Sequence, residues 1–134
     1  MAYSELTAAL KYYIGEYDFA VDGGAISTIA LRAGAGSHGP IPNAAVILGG
    51  YLEVLTGFTT GSAATAALTV ESANDIVAAT VVSGAPYSTT GIKSIVPVFT
   101  GATMIKTTAA RSPSIVIATG TITAGKARLV LVYR

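Results

Sequence analysis

Apolar and polar side chains alternate in short runs along most of this chain. Tyr17, Phe19 and Val21 alternate with Asp18, Ala20 and Asp22, which predicts a half-buried strand running to a turn at Gly23-Gly24. Ile26 to Arg32 reads as a second strand, with Ile29 and Leu31 on one face. The stretch from Ala33 to Asn43 is a loop, because glycines and prolines break any regular pattern there. The run Ala44 to Thr56 has Gly49-Gly50 in its middle and β-preferring Val46, Ile47 and Val54 around them, so it reads as one long strand bent or bulged at the glycines. Ala64, Ala66, Leu68 and Val70 alternate with Thr65, Ala67, Thr69 and Glu71 as a further strand. Ser72 to Ser83 fits either a helical turn capped by Ser72 or Asn74 or another strand. Ile92 to Phe99, interrupted by Pro97, suits an edge, and Thr103 to Ala109 is another strand.

Two runs rich in β-branched residues close the chain, either side of Ala124-Gly125, and they predict a terminal hairpin. A three-residue loop, Thr123-Ala124-Gly125, pairs Ile122 with Lys126; a two-residue loop pairs Thr123 with Lys126 instead. The three-residue loop fits better, since a primed two-residue turn asks Ala124 for positive φ. It puts Ile115, Ile117, Leu129, Leu131 and Tyr133 on one face. Val130 and Val132 lie on the other, so the last strand is apolar on both sides. One side needs the core, and the other needs a cover, from the N-terminal arm or another subunit.

The first fifteen residues differ. Leu6, Ala9, Leu10, Tyr13 and Ile14 recur at helical spacing between a cap at Ser4 and a stop at Gly15, which fits a short helical or extended arm. The expected organisation is therefore an arm over residues 1–15 and a β-domain over residues 16–134. About eight short strands with Gly, Ser and Thr turns place the chain in the all-β class, as an antiparallel sandwich or barrel.

Composition sharpens this. Charged residues are 11% of the chain, against roughly 25% in ordinary soluble domains, while 51% are hydrophobic. So little charge suits a chain that lives inside an assembly better than a free monomer. All seven acids precede residue 76, beside only Lys11 and Arg32; six bases and no acid follow. An interleaved β-fold mixes such halves in space, and the scattered bases lack the interleaved aromatics of a nucleic-acid face, so no nucleic acid is expected. The uncharged runs are threaded with Thr, Ser and Gly and predict no membrane span, and the N-terminus shows no signal-peptide pattern. With no cysteine, neither disulfides nor thiolate metal sites are available.

Candidate chemistry is thin. Gly34-Ala-Gly36-Ser-His-Gly39 matches the G-x-G-x-x-G phosphate pattern, but Pro40 and Pro42 follow where a helix would have to open. His38 is the single histidine, in a glycine-rich loop, and reads as exposed rather than as a base or metal ligand. Asp18 and Asp22 would share a strand face and read as a solvent-facing Asp-Gly turn rather than a cation site. The seven tyrosines serve packing. No catalytic residue, cofactor or metal is expected: the chain reads as a non-enzyme.

Tyr17-DFAVDGGAISTIAL-Arg32, Pro97-VFTGATMIK-Thr107 and Ile122-TAGKARLVLVY-Arg134 together resemble small tailed-bacteriophage virion proteins of the capsid decoration or cement type. The resemblance covers residues 17–134. It implies a jelly-roll-like β-sandwich on the capsid exterior, without catalytic residues, that ties neighbouring shell subunits together by buried apolar area. The partners it implies are the major capsid protein and further copies of the chain itself, with a trimer favoured. Leu6, Leu10, Tyr13 and Ile14 of the arm and Val130 and Val132 of the last strand are the expected interface residues. A receptor- or glycan-binding module of a fibre or tail is the alternative.

Overall fold

The computed structural model describes residues 9–134. Two antiparallel sheets face each other. Sheet A contains β1 (Lys11–Asp18), β3 (Arg32–Ala33), β4 (Val46–Thr60), β7 (Gly91–Lys93), β8 (Ile105–Lys106) and β10 (Ile122–Tyr133). Its strands run β3-β1-β10-β4-β7, with β8 also on β4. Sheet B has the order β2-β9-β5-β6, from β2 (Ser27–Ala30), β9 (Ser114–Ala118), β5 (Thr65–Thr69) and β6 (Val77–Val81). The all-β sandwich expected from the sequence is what forms. One helical turn, α1 (Phe19–Asp22), is the exception.

The core lies between the sheets, and alternation builds it. Tyr13 and Tyr17 of β1, Ile47, Leu52 and Val54 of β4, and Leu129, Leu131 and Tyr133 of β10 point inward from sheet A. Ala66 and Leu68 of β5 with Ile115 and Ile117 of β9 meet them from sheet B. Phe58 stacks on Tyr17 at 5.6 Å between ring centres and meets Tyr87 at 5.3 Å, a buried aromatic run at one end of the sandwich.

The terminal hairpin does not form in either register. β9 pairs with β2 and β5 in sheet B, whereas β10 pairs with β1 and β4 in sheet A. The chain changes sheets around Thr119, whose φ is +65°. Ala124-Gly125 lies inside β10, where the pairing to β4 slips at successive positions. Gly125 has φ +151°, and a Cβ there would sit 2.6 Å from the Phe58 ring. A glycine inside a strand marks a bulge and a close approach, and here it does so instead of turning the chain. The facing assignment survives for another reason: Ile115 and Ile117 share the core with Leu129, Leu131 and Tyr133 across the gap between sheets.

Other boundaries shift in the same way. Lys11 to Gly15 form no helix; they pair along β10, Lys11 with Tyr133 through Gly15 with Leu129, so the division expected at residue 15 falls inside β1. The strand expected through Val21 stops at Asp18, whose carboxylate accepts the Ala20 N–H and caps α1. Ile26 to Arg32 is not one strand but two, β2 and β3 in different sheets, with buried Leu31 at the crossing. The Gly49-Gly50 bulge is present: Val132 pairs with Gly49 and Tyr133 with Ile47. Between Ser72 and Ser83 the chain makes a turn and then β6; the Asp75 carboxylate gathers the N–H groups of Val70, Glu71 and Ser72 at 2.8 Å each.

Candidate interaction surface

Paired residues across an antiparallel sheet project to the same side, so the outer face of sheet A can be read in rows. Glu16, Arg128 and Glu53 form one row, with Ile92 beyond it. Ile14, Val130 and Tyr51 form the next. Tyr12, Val132 and Gly49 form a third, and the Phe99 ring lies over Gly49 where a side chain would otherwise stand. The Phe99 N–H donates to the Leu48 carbonyl, which holds the ring there. Beyond these rows Arg134 and Val46 exchange both backbone bonds, and Val46 pairs with Lys106.

The middle of this face is apolar and only half covered. Val130, Val132 and Ile14 are half-buried, whereas Tyr12, Tyr51 and Phe99 are 42%, 38% and 56% exposed. A depression of about 270 Å³ opens on this face, lined by Ile14, Glu16, Ala35, Tyr51, Arg128 and Val130. The glycine-rich loop closes one side. Gly34 donates to the Ile14 carbonyl, Ser37 accepts the Ile14 N–H, and His38 donates its N–H to the Tyr12 carbonyl. The His38 ring stands edge-on to Tyr12 at 4.7 Å. The loop therefore covers the free edge of β1.

The outer face of sheet B is different. Thr28, Val116 and Ala67 make one row, Ala30, Ser114 and Thr69 another, and Thr65 pairs with Ala118. Small and hydroxyl-bearing side chains dominate there, with Val116 and, opposite Thr65, Val81 among them.

Of the residues expected at an interface, Ile14, Val130 and Val132 come together on the outer face of sheet A. Leu10 is 54% exposed just before β1. Tyr13 is not on this face: it is 3% exposed in the core, and its hydroxyl donates to the Leu31 carbonyl at 3.0 Å. Leu6 lies outside the described residues. Sequence reasoning missed Tyr12, Tyr51 and Phe99. Tyr51 was legible from its alternation with Leu52 and Val54; nothing near Phe99 announces that it packs on Gly49.

The described acidic side chains are occupied with structure. Asp22 takes Arg32 in two bonds of 3.0 Å and the Asp18 N–H at 2.8 Å. Burial works to raise its carboxyl, but the Arg32 and Asp18 bonds outweigh it and hold the group below the usual carboxylate range. Asp18 and Asp22 thus serve the turn at α1. Glu71 is held down at about 2 by Arg111 first, then by the Thr108 hydroxyl and N–H. Arg128 reaches both Glu16, at 3.3 Å, and Glu53, at 3.5 Å. Bases from the second half of the sequence meet acids from the first, so the two halves do intermix. Among the described residues no three His, Asp or Glu side chains gather as a metal site would need, and no helix is long and apolar enough to cross a membrane.

No protein-family model and no curated protein sequence matches the chain. Two solved structures share its fold. One is the cyanophage Pam1 capsid asymmetric unit, with a TM-score of 0.58 at 20% identity over 92% of this chain and 83% of that one. The other is the acid-stable capsid of Helicobacter pylori bacteriophage KHP30, with a TM-score of 0.60 at 12% identity over 93% and 86%.

Proposed function

We propose that this chain is a structural virion protein of a tailed bacteriophage that decorates or cements the capsid from outside. The observation that carries the reading is a sandwich shared over nearly the whole chain with chains of two phage capsid structures. The strand orders β1-β10-β4-β7 and β2-β9-β5-β6, wound by repeated crossings between the sheets, support a jelly-roll reading. The half-covered face around Val130 and Val132 supplies an adhesive surface, and the described acidic side chains are spent on turns and ion pairs rather than gathered as a reaction site. Its partners are the major capsid protein and further copies of itself, a trimer being the favoured assembly, and its work is adhesion without catalysis. Apolar burial at roughly 25 cal/mol per Å² drives such contacts, less the cost of ordering and association. Leu6 and Leu10 join them as the N-terminal contact.

Mixing the purified protein with undecorated capsids and measuring occupancy by cryo-microscopy tests this. Stoichiometric density on the outer surface is expected; bare capsids at saturating protein overturn it. A chain lacking residues 1–9, which leaves β1 whole, is expected to decorate less completely. The receptor- or glycan-binding alternative is favoured by one observation, the exposed Tyr12, Tyr51 and Phe99 on the outer face, where Tyr51 lines the depression. Binding on a glycan array that is lost with Tyr51→Ser would select it.

A further inference from the structure

β6 is an outer edge of sheet B, and among the described residues no strand lies on its far side. At the two ends of that side the Ile76 carbonyl accepts the Val96 N–H and the Val81 carbonyl accepts the Gly84 N–H. Between them the Thr80 hydroxyl donates to the Ala78 carbonyl, and no other described segment bonds to this side. Ile76 to Val82 holds no charge, proline or glycine, the composition of an edge ready to pair. Sheet A guards its edges better: β3 is two residues long and carries Arg32, and β7 is three and ends on Lys93. Beside β6 opens a groove of about 450 Å³, lined by Val77, Ala78 and Thr80 and by Pro86, Ile95 and Val96 of the following loops. None of its lining residues is charged. We propose that residues 1–8 of a second copy lie in this groove as a strand added to β6. The inference rests on the reading of the chain as a protein that works by subunit contacts, and it names where the N-terminal contact lands.

An unpaired edge selects an extended backbone, and an uncharged groove beside it selects an uncharged row of side chains. Residues 1–8 precede the described structure, which enters β1 past the exposed Leu10. Laid out as a strand, they put Ala2, Ser4, Leu6 and Ala8 on one side and Met1, Tyr3, Glu5 and Thr7 on the other. The first side is uncharged and offers one anchor, Leu6, to the space between Val77, Pro86 and Ile95; the second sends Glu5 to solvent. Five of the eight residues match the length of β6, which leaves three as a tether. The bulge between Val77 and Thr80 also favours a short separate segment, which can follow a kinked edge, over the edge strand of another sheet.

The donor is a second copy because the segment starts on the wrong side of its own domain. β1 stands next to β3 at one edge of sheet A, whereas the chain leaving β7, at the opposite edge, is what bonds to β6. Three strand spacings and the gap between sheets separate them by about 17 Å, which consumes about five extended residues. The remainder is too short to cover β6. Each copy therefore gives one segment and receives another, a head-to-tail contact that three copies can close into a ring.

Hydrogen exchange on the full chain, read above and below the concentration at which it associates, is the test. The amides of Ala78 to Val81 are expected to slow about tenfold or more on association, because an added strand takes up the free N–H groups of that edge. Leu6→Asp, which changes no described residue, should weaken association about tenfold or more and leave the melting temperature of the dissociated chain near wild type. Ala78→Lys, on the groove side, serves as the second variant. The chain has no cysteine, so engineered thiols report cleanly. A Leu6→Cys chain, mixed in turn with Ala78→Cys, Ala79→Cys and Thr80→Cys chains, should form a disulfide-linked pair with at least one of them. A monomer at about 100 μM, an assembly whose β6 amides exchange as fast as in the monomer, association that survives both Leu6→Asp and Ala78→Lys, or no link in any of the three mixtures overturns the proposal. Protection that appears only once capsids are added also overturns it and gives the edge to the capsid protein. The two readings fail separately. Assembly through the N-terminal segment without capsid binding removes the virion role and keeps the docking; capsid binding by a chain whose β6 amides stay fast does the reverse.

Discussion

The two faces of β10 are nearly alike in sequence and unlike in the fold. Inward stand Leu129, Leu131 and Tyr133, each at most 2% exposed; outward stand Val130 and Val132, half-buried between Ile14, Tyr51 and the Phe99 ring. What separates them is what covers them. Sheet B closes the inner face, so a change there has nowhere to relax. Nothing among the described residues closes the outer face. An apolar residue therefore has two possible duties in this sandwich, and mutational cost tells them apart.

The largest expected contrast is between neighbours on the strand. Leu131→Ala should cost about 2–5 kcal/mol, from lost transfer energy plus a cavity that packed neighbours cannot fill. Val132→Ala in the monomer should cost under about 1 kcal/mol, as partly exposed positions do. Urea unfolding of both variants checks this. Equal costs would mean that the outer face is as tightly packed as the core.

Glycines sharpen the same contrast. Gly125 and Gly49 each lie under a phenylalanine ring, Phe58 on the inner side and Phe99 on the outer. Phe58 is 3% exposed and wedged among Tyr17 and Tyr87, and Gly125 also has φ +151°. Gly125→Ala must strain the backbone and displace a core ring, at about 2–3 kcal/mol. Gly49 has no such backbone demand, and exposed Phe99 can swing away, so Gly49→Ala should cost under about 1 kcal/mol. Its signature is different: it should uncover the Gly49 row and weaken any contact made through it.

How much of this could be read in the sequence follows from the same distinction. Which side chains face inward was legible, because a period of two survives any error about partners: Ile115, Ile117, Leu129, Leu131 and Tyr133 all face the core. Which strands pair was not. Thr123-Ala124-Gly125 carries the chemistry of a turn, and only the Phe58 ring, far away in sequence, makes Gly125 a bulge. The helical spacing of Leu10, Tyr13 and Ile14 was overridden by the eight pairs that β1 makes with β10. Half of the candidate surface was legible for the first reason, since Val130 and Val132 are apolar beside an already apolar face. The other half needed Phe99, which follows Pro97, has φ +62° and reaches β4 from a loop. No periodicity announces that.

Alkaline pH probes the inner side alone. Burial pushes the phenols of Tyr13, Tyr17, Tyr87 and Tyr133 up, and Tyr17 reaches about 12, from burial first and then from Asp22 and Asp18. Between the ordinary value of 10.0 and about 12 the unfolded chain has lost phenolic protons that the folded chain retains. The folded state then binds more protons, so stability is flat below pH 10 and falls as pH rises through that window. Urea midpoints at pH 8, 10 and 11.5 should show the fall, and Tyr17→Phe should reduce its slope. A stability unchanged to pH 12 would mean that the inner face admits hydroxide and water as freely as the outer.

The smallest effect is expected at a place where the inner face is imperfect. The Tyr87 hydroxyl is buried and has no hydrogen-bond partner among the described residues, whereas Tyr13 and Tyr17 donate to the Leu31 and Gly23 carbonyls. An unmade hydrogen bond leaves the desolvation cost of the group standing, so removing the hydroxyl removes the cost. Tyr87→Phe keeps the ring against Phe58 and should be neutral or stabilising by up to about 1 kcal/mol. Tyr17→Phe, at pH 7, should instead lose about 1 kcal/mol with its bond to Gly23. Thermal melts of the two variants decide it: a loss at Tyr87→Phe as large as that at Tyr17→Phe would show a partner for the hydroxyl, and the inner face would then be uniform where it is here uneven.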